Sequence, residues 1–220
     1  INKKPRSAGG VRINSNLDDL DITSCIKEIS DKLVSHLNYK PIETNKYLVC
    51  FSPEAFLQLI SAFSSMFNAR SIIDGLSLMN ENSIGNQISV PTLNISDEGL
   101  HPKNVGAFSF DGEGTPTQNI KLVSDGKLIN LLHSEATARK FGVKPTGHAG
   151  LGAKVSVSPD WLVVSKSFSE TDKDESLNVK NTYKEYVQID ELSAIHSGVK
   201  ASQGSFSLPF DGWIVKNGKK

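Results

Sequence analysis

The dipeptide Asp125-Gly126 places the tightest local constraint on how this chain can fold. A two-residue type I′ turn needs positive φ at both central positions, and Asp-Gly accepts that conformation readily. The apolar-rich segments 118–124 and 127–132 flank it, so the pattern predicts a β-hairpin. A short helix over 134–141 is expected next, with Gly142 placed to end it. Upstream, YLVCF at 47–51 has the length and character of a strand, and a second helix follows at once. Ser52 is its N-cap, Pro53 takes the first helical position and Glu54 lies in the first turn. Phe56, Leu59, Ile60, Phe63 and Phe67 fall on one face of that helix.

The remaining pattern is less regular. Residues 1–16 are basic and aperiodic and read as a leading loop or strand. Asp21 or Thr23 can cap a helix to about Tyr39, with Ile26, Ile29, Leu33 and Leu37 forming an apolar stripe. Alternation over 87–95 suggests a strand, and 154–158 and 161–165 are further strand candidates. The charged stretch 167–184 reads as a solvated excursion. Asp190 can cap a last short helix ending at Gly198, and strands are expected at 205–208 and 213–215. Strands and helices do not alternate regularly, which argues against a doubly wound parallel sheet. The expected class is α+β, a largely antiparallel or mixed sheet carrying a few helices.

Charge and composition exclude several functions. Lys plus Arg number 24 and Asp plus Glu number 24. The resulting zero net charge removes the electrostatic argument for direct nucleic-acid binding. No apolar run approaches the roughly 18 residues of a membrane span, so a soluble protein is expected. Cys25 and Cys50 lack any CxxC or metal-ligand spacing and read as buried free thiols. The chain begins at Ile1 without a methionine and ends on a turn-like Asn217-Gly218-Lys219-Lys220, and it reads as a piece of a longer protein. Asn94-Ile95-Ser96 matches a glycosylation acceptor, a triplet common by chance.

The search for chemistry returns little. None of His36, His101, His133, His148 and His196 is paired at the i, i+4 spacing that puts two imidazoles on one helix face. His133-Ser134-Glu135 resembles half of a deaminase signature, but the PCxxC half is absent, and a helix start is the better reading. No GxSxG elbow is present, and Gly147, Gly150 and Gly152 do not have the spacing of a phosphate loop. Asp111 and Glu113, set among glycines including Gly114, could ligate a hard cation. Such sites usually need more oxygens, and Asp-Gly clusters are standard turn formers, so a turn is preferred. Arg139 could clamp a carboxylate, with a surface arginine as the default reading. His148 in TGHAG and His196 in IHSG read as loop or packing histidines.

Taken in order, these motifs resemble a known family. FDGEGTPTQNIKLVSDGKLINLLHSEATARKFG is similar to the acidic-Gly, DG-x-L and A-x-K-x-G core of the TldD/PmbA (TldE) family. PTGHAG resembles its TGN/H-A loop, and LSAIHSGVKASQGSFSLPFDGWIVKNGK its SG-x-FSlp-x-G segment. The likeness is collinear from about Tyr47 to Lys219 and less distinctive over 1–45.

It implies an end of a preceding region with a connecting helix over 1–45. Residues 46–220 would be a PmbA/TldD C-terminal-type domain, incomplete at its C-terminus. It also implies a cytoplasmic protein of a family once called modulators of DNA gyrase and better understood as heterodimeric TldD/TldE metalloproteases that act on unfolded peptides. In that family the TldD subunit carries the metal on an HExxxH helix; the corresponding helix here, SPEAFLQLISAF, has no histidine. The resemblance therefore implies a TldE/PmbA-like subunit with no catalytic residue or cofactor of its own, zinc being expected only in a TldD-like partner. Unfolded peptide is the expected substrate, and a homodimer is the alternative when the chain is alone. Candidate groove or motif residues are Asp111, Glu113, Gly114, Arg139, Thr146, Gly147, His196 and Gly198. Two further readings stand beside this one. The first is a non-enzymatic peptide-binding or regulatory protein, including a gyrase-modulating role. The second is a self-sufficient hydrolase whose site is assembled from scattered residues. The stretch 167–184 departs from the family pattern.

Overall fold

The computed structural model describes residues 7–167 and 183–219, so most of the charged stretch 167–184 lies outside the described residues. Backbone contacts divide the chain into two units, Ile1–Lys46 and Tyr47–Lys220. In the first, Asp21 Oδ1 accepts the Ser24 N–H at 2.8 Å and starts helix α1 (Ile22–Ser35). A 3₁₀ turn, His36–Asn38, carries the path to the predicted end. Of the apolar stripe, Ile26, Leu33 and Leu37 are exposed and Ile29 is half-buried. Arg12 pairs with Glu28 on α1, and that carboxylate holds the guanidinium pKa above its usual value.

The second unit begins with β1 (Val49–Phe51) and α2 (Pro53–Ala62), whose start is the predicted one: Ser52 Oγ accepts the Ala55 N–H at 3.1 Å. A 3₁₀ turn, Ser64–Phe67, leads to α3 (Ala69–Ile73). Strands β2 (Leu93–Glu98), β3 (Asn119–Ser124), β4 (Lys127–Leu128) and β7 (Leu162–Lys166) form an antiparallel sheet in the order β4-β3-β2-β7. Between β4 and β7 come α4 (Glu135–Phe141) and a paired β5 (Ala149–Gly150) and β6 (Ser156–Val157). The long β8 (Glu185–Leu192) sits centrally in a mixed sheet, parallel to β1 and antiparallel to β11 (Phe210–Lys216). A short helix α5 (Ile195–Gly198) and the β9 (Val199–Lys200) and β10 (Ser205–Phe206) pair lie between β8 and β11. The architecture is α+β with antiparallel and mixed sheets, as expected.

The main core gathers Phe67, Ala69 and Ile72 against Ile95, Leu122, Val123, Leu128, Leu131 and Leu132. Phe67 is fully buried from the 3₁₀ turn, whereas Phe56, Leu59, Ile60 and Phe63 are only half-buried. The hairpin turn has φ of 50° at Asp125 and 76° at Gly126, positive at both positions.

Three expectations need correction. The strand expected over 87–95 runs instead from Leu93 to Glu98, because 87–90 wraps the hairpin turn: the Ile88 and Ser89 N–H groups both donate to Gly126 O. Asp190 caps nothing. Pairing with β11 extends β8 through it to Leu192, its carbonyl accepts from Ser52 Oγ, and α5 follows Ala194 in a left-handed conformation. Cys25 and Cys50 are free but half-buried rather than buried.

Candidate functional site

Asp111 is a structural acceptor. Its Oδ1 takes the N–H groups of Glu113 and Thr115, each at 2.9 Å, and its Oδ2 takes the Ala149 N–H at 3.0 Å. A carboxylate with three amide donors is satisfied without a cation. Glu113 Oε2 accepts the Glu135 N–H at 2.8 Å, an otherwise orphan donor at the first residue of α4. Gly114 supplies the positive φ of 81° that closes the turn. Arg139 is exposed and pairs with Glu135 one helical turn earlier, at 2.9 Å. It therefore stays on the helix surface, as a default arginine would.

Thr146, Gly147 and His148 pack beside this turn. Gly147 has φ of 76°, and a β-carbon there would lie 2.2 Å from Pro116 O, so no other residue fits without displacing the 116–117 backbone. Thr146 Oγ1 accepts the His133 N–H at 2.9 Å and lies 3.1 Å from His148 Nδ1. The His148 side chain is wholly buried. Its Nε2 is 3.3 Å from Asp97 Oδ2, but out of line for a hydrogen bond, so the contact is electrostatic. Asp97, also wholly buried, accepts the Trp161 N–H at 2.7 Å and the Asp160 N–H at 2.8 Å. A buried polar chain thus links the start of α4 through Thr146, His148 and Asp97 to the backbone of Asp160 and Trp161. His133 packs edge-on against Phe141, and its Nδ1 has no hydrogen-bond partner among the described residues. Burial lowers its pKa below the ordinary 6.5, with the Thr137 backbone opposing.

The sequence reading missed Asp97. The available signal was its place in NISDE: period two puts Leu93, Ile95 and Asp97 on the same face of β2, where a carboxylate is out of character.

His196 belongs to a different place, a cleft of about 790 Å³ between α2 and the α5–β9 segment, and Gly198 is the last residue of α5. His196 is exposed in it, facing a lining that includes Glu54, Leu57 and Ser61 of α2. At Gly198 a β-carbon would lie 2.4 Å from Ser207 O, and the glycine lets that backbone close over α5. A second cleft, of about 420 Å³, shares Leu57 and Ser61 and is completed by Ser64, Ser158, Asp160 and Trp161. Burial raises the Asp160 carboxyl above its ordinary value; His148 opposes the rise, and Asp97 and Asp111 add to it. His101 stacks on Trp161 with ring centroids 5.2 Å apart.

The larger cleft brings Glu54 and His196 as potential metal ligands, whereas a catalytic zinc takes three protein ligands and keeps a fourth position open. Among the described residues no three His, Cys, Asp or Glu side chains are grouped to hold a metal ion. The described residues of this cleft do not fit a zinc centre.

Residues 44–220 match the PmbA/TldA metallopeptidase C-terminal domain. A metalloprotease from Synechocystis sp. is 30% identical over 144 residues, which cover 65% of this chain and 31% of that protein. The crystal structure of a candidate modulator of a DNA gyrase from Thermotoga maritima superposes with a TM-score of 0.86 at 29% identity, covering 99% of this chain and 49% of that one. TldE from Thermococcus kodakarensis shares the fold, with a TM-score of 0.72 at 15% identity over 91% of this chain and 45% of its own. The chain spans about half or less of the length of each of these proteins.

Proposed function

Because the chain belongs to the PmbA/TldA metallopeptidase C-terminal domain family, we propose that it is the TldE/PmbA-like, non-metal-binding subunit of a two-chain peptidase. In this reading it holds extended, unfolded peptide along α2 for a zinc-bearing, TldD-like partner, in the cytoplasm. The observation that carries the proposal is the pairing of a cleft of about 790 Å³ with a helix, 53–62, that has no histidine. Two supports add to it. Among the described residues no helix is long and apolar enough to cross a membrane. Among the described residues the β9–β10 pair is two-stranded, so each strand has an edge to which extended backbone can add.

The test is reconstitution. The full-length protein alone should release no fragments from an unfolded substrate such as reduced, alkylated casein. Adding a TldD-like chain that carries HExxxH should start hydrolysis. Chelator-sensitive hydrolysis by the isolated protein would overturn the proposal and favour a self-sufficient hydrolase. The name of the Thermotoga maritima neighbour supports a second reading, a regulator without peptidase function. Stable co-purification with gyrase, with no gain of hydrolysis on adding the TldD-like chain, would favour that one.

A further inference from the structure

The two clefts along α2 share Leu57 and Ser61, so they are neighbours on one face of the helix. Their charged linings are one-sided: Glu54 in the larger, Asp160 in the smaller, and no Lys or Arg in either. The Asp160 side chain differs from its two neighbouring carboxylates. Asp111 and Asp97 are saturated by backbone amides, whereas Asp160 takes no hydrogen bond from any described residue. It is accessible in the cleft, yet burial of its surroundings disfavours its charge. Asp97 fixes its position from beneath by holding the backbone N–H groups of Asp160 and Trp161. Gly99 keeps the space beside it open, since a β-carbon there would stand 3.1 Å from Asp160 Oδ2. The remaining wall mixes the hydroxyls of Ser61, Ser64 and Ser158 with the apolar surfaces of Leu57 and Trp161.

We infer that the smaller cleft is a subsite for a basic side chain of an extended peptide, with the Lys or Arg cation seated against Asp160 and its aliphatic stem along Leu57 and Trp161. Charge complementarity selects this occupant. A carboxylate anchored through its backbone and without a partner among the described residues, with Asp97 and Asp111 against the one opposing His148 and no Lys or Arg in the cleft lining, attracts cations and repels acidic chains. The apolar walls suit the stem of such a side chain, and an indole wall is favourable to a guanidinium. The inference rests on the reading of the α2 face as a peptide track and adds to it a preference in sequence.

The test uses the full-length protein and two fluorescein-labelled, unstructured dodecapeptides identical except for a central Arg or its neutral isostere citrulline. Fluorescence anisotropy at low salt should show the Arg peptide binding about 10-fold more tightly, with the gap shrinking at high salt as screening sets in. Asp160→Asn should bring the Arg peptide down to the affinity of the citrulline peptide. Ser158→Lys, at an exposed position on the cleft wall, should do the same by supplying a cation from the protein itself. Equal binding of the two peptides by the unmodified protein, or a preference that survives both substitutions, would overturn the subsite and leave the peptide track standing. Failure of both peptides to bind at millimolar protein would overturn the track and the subsite together.

Discussion

Asp111 commits both carboxylate oxygens to backbone amides from two chain segments, and its removal should be felt as lost stability rather than lost chemistry. Asp111→Ala should lower the unfolding free energy by about 3 kcal/mol, since a charged acceptor of several amides is worth more than a neutral one. Urea denaturation checks this. Unchanged stability with lost peptide binding would contradict the structural role. Glu113→Ala, which removes only one acceptor at the head of α4, should cost about 1 kcal/mol. The titrating residues add opposite pH slopes. His133 is buried with a lowered pKa, so the unfolded chain binds its proton more readily. Its contribution to stability is full above the ordinary value of 6.5 and falls as the pH drops below it. His133→Leu should flatten that slope in thermal melts taken across the range. Asp160 has a raised pKa, so its contribution is present below the ordinary value of 3.8 and fades as the pH rises through the raised folded value.

At the scale of elements, the features legible in the sequence were those set by neighbouring residues. The Ser52-Pro53-Glu54 start of α2, the start of α4 near Ser134 and its Gly142 stop, and the Asp125-Gly126 turn all depend on contacts within a few positions. The features misread depend on distant partners: the start of β2 is set by the wrap of 87–90 around Gly126, and the length of β8 by its register with β11. The glycines separate the two kinds of constraint. Gly142 has φ of 67° and open space where a β-carbon would stand, so Gly142→Ala should cost about 1 kcal/mol for the backbone conformation alone. Gly126 combines φ of 76° with a β-carbon position 2.4 Å from Val90 O, and Gly126→Ala should cost about 3 kcal/mol or more. Comparable losses from the two substitutions in chemical denaturation would show that the wrap around the turn contributes nothing.

For the whole molecule, family membership was readable because the motifs are local strings in a fixed order, and the match covers residues 44–220. The missing histidines of α2 were readable for the same reason. The candidate site was only partly so. Asp111, Glu113, Thr146 and Gly147 cluster as one packed turn, whereas His196 lines the α2–α5 cleft and Gly198 packs under the Ser207 backbone. Asp97 and Asp160 escaped notice because a buried carboxylate and an unpartnered one look alike until the strands are paired.

The mixed sheet also has a temporal consequence. Among the described residues strand β1 sits at its edge and pairs with β8, and Ser52 at the head of α2 is fastened to the Ile189 and Asp190 carbonyls. Chain emerging from a ribosome must therefore carry β1 without its parallel partner, and the head of α2 without its two carbonyl acceptors, until nearly all of this unit has been made. The antiparallel β2–β3–β4 meander can close much earlier, because its hairpin contacts are short-range. The larger cleft, walled on one side by Ile195, His196, Val199 and Ala201, is thus among the last parts of the unit to set, and a nascent chain cannot complete it before β8 has been made.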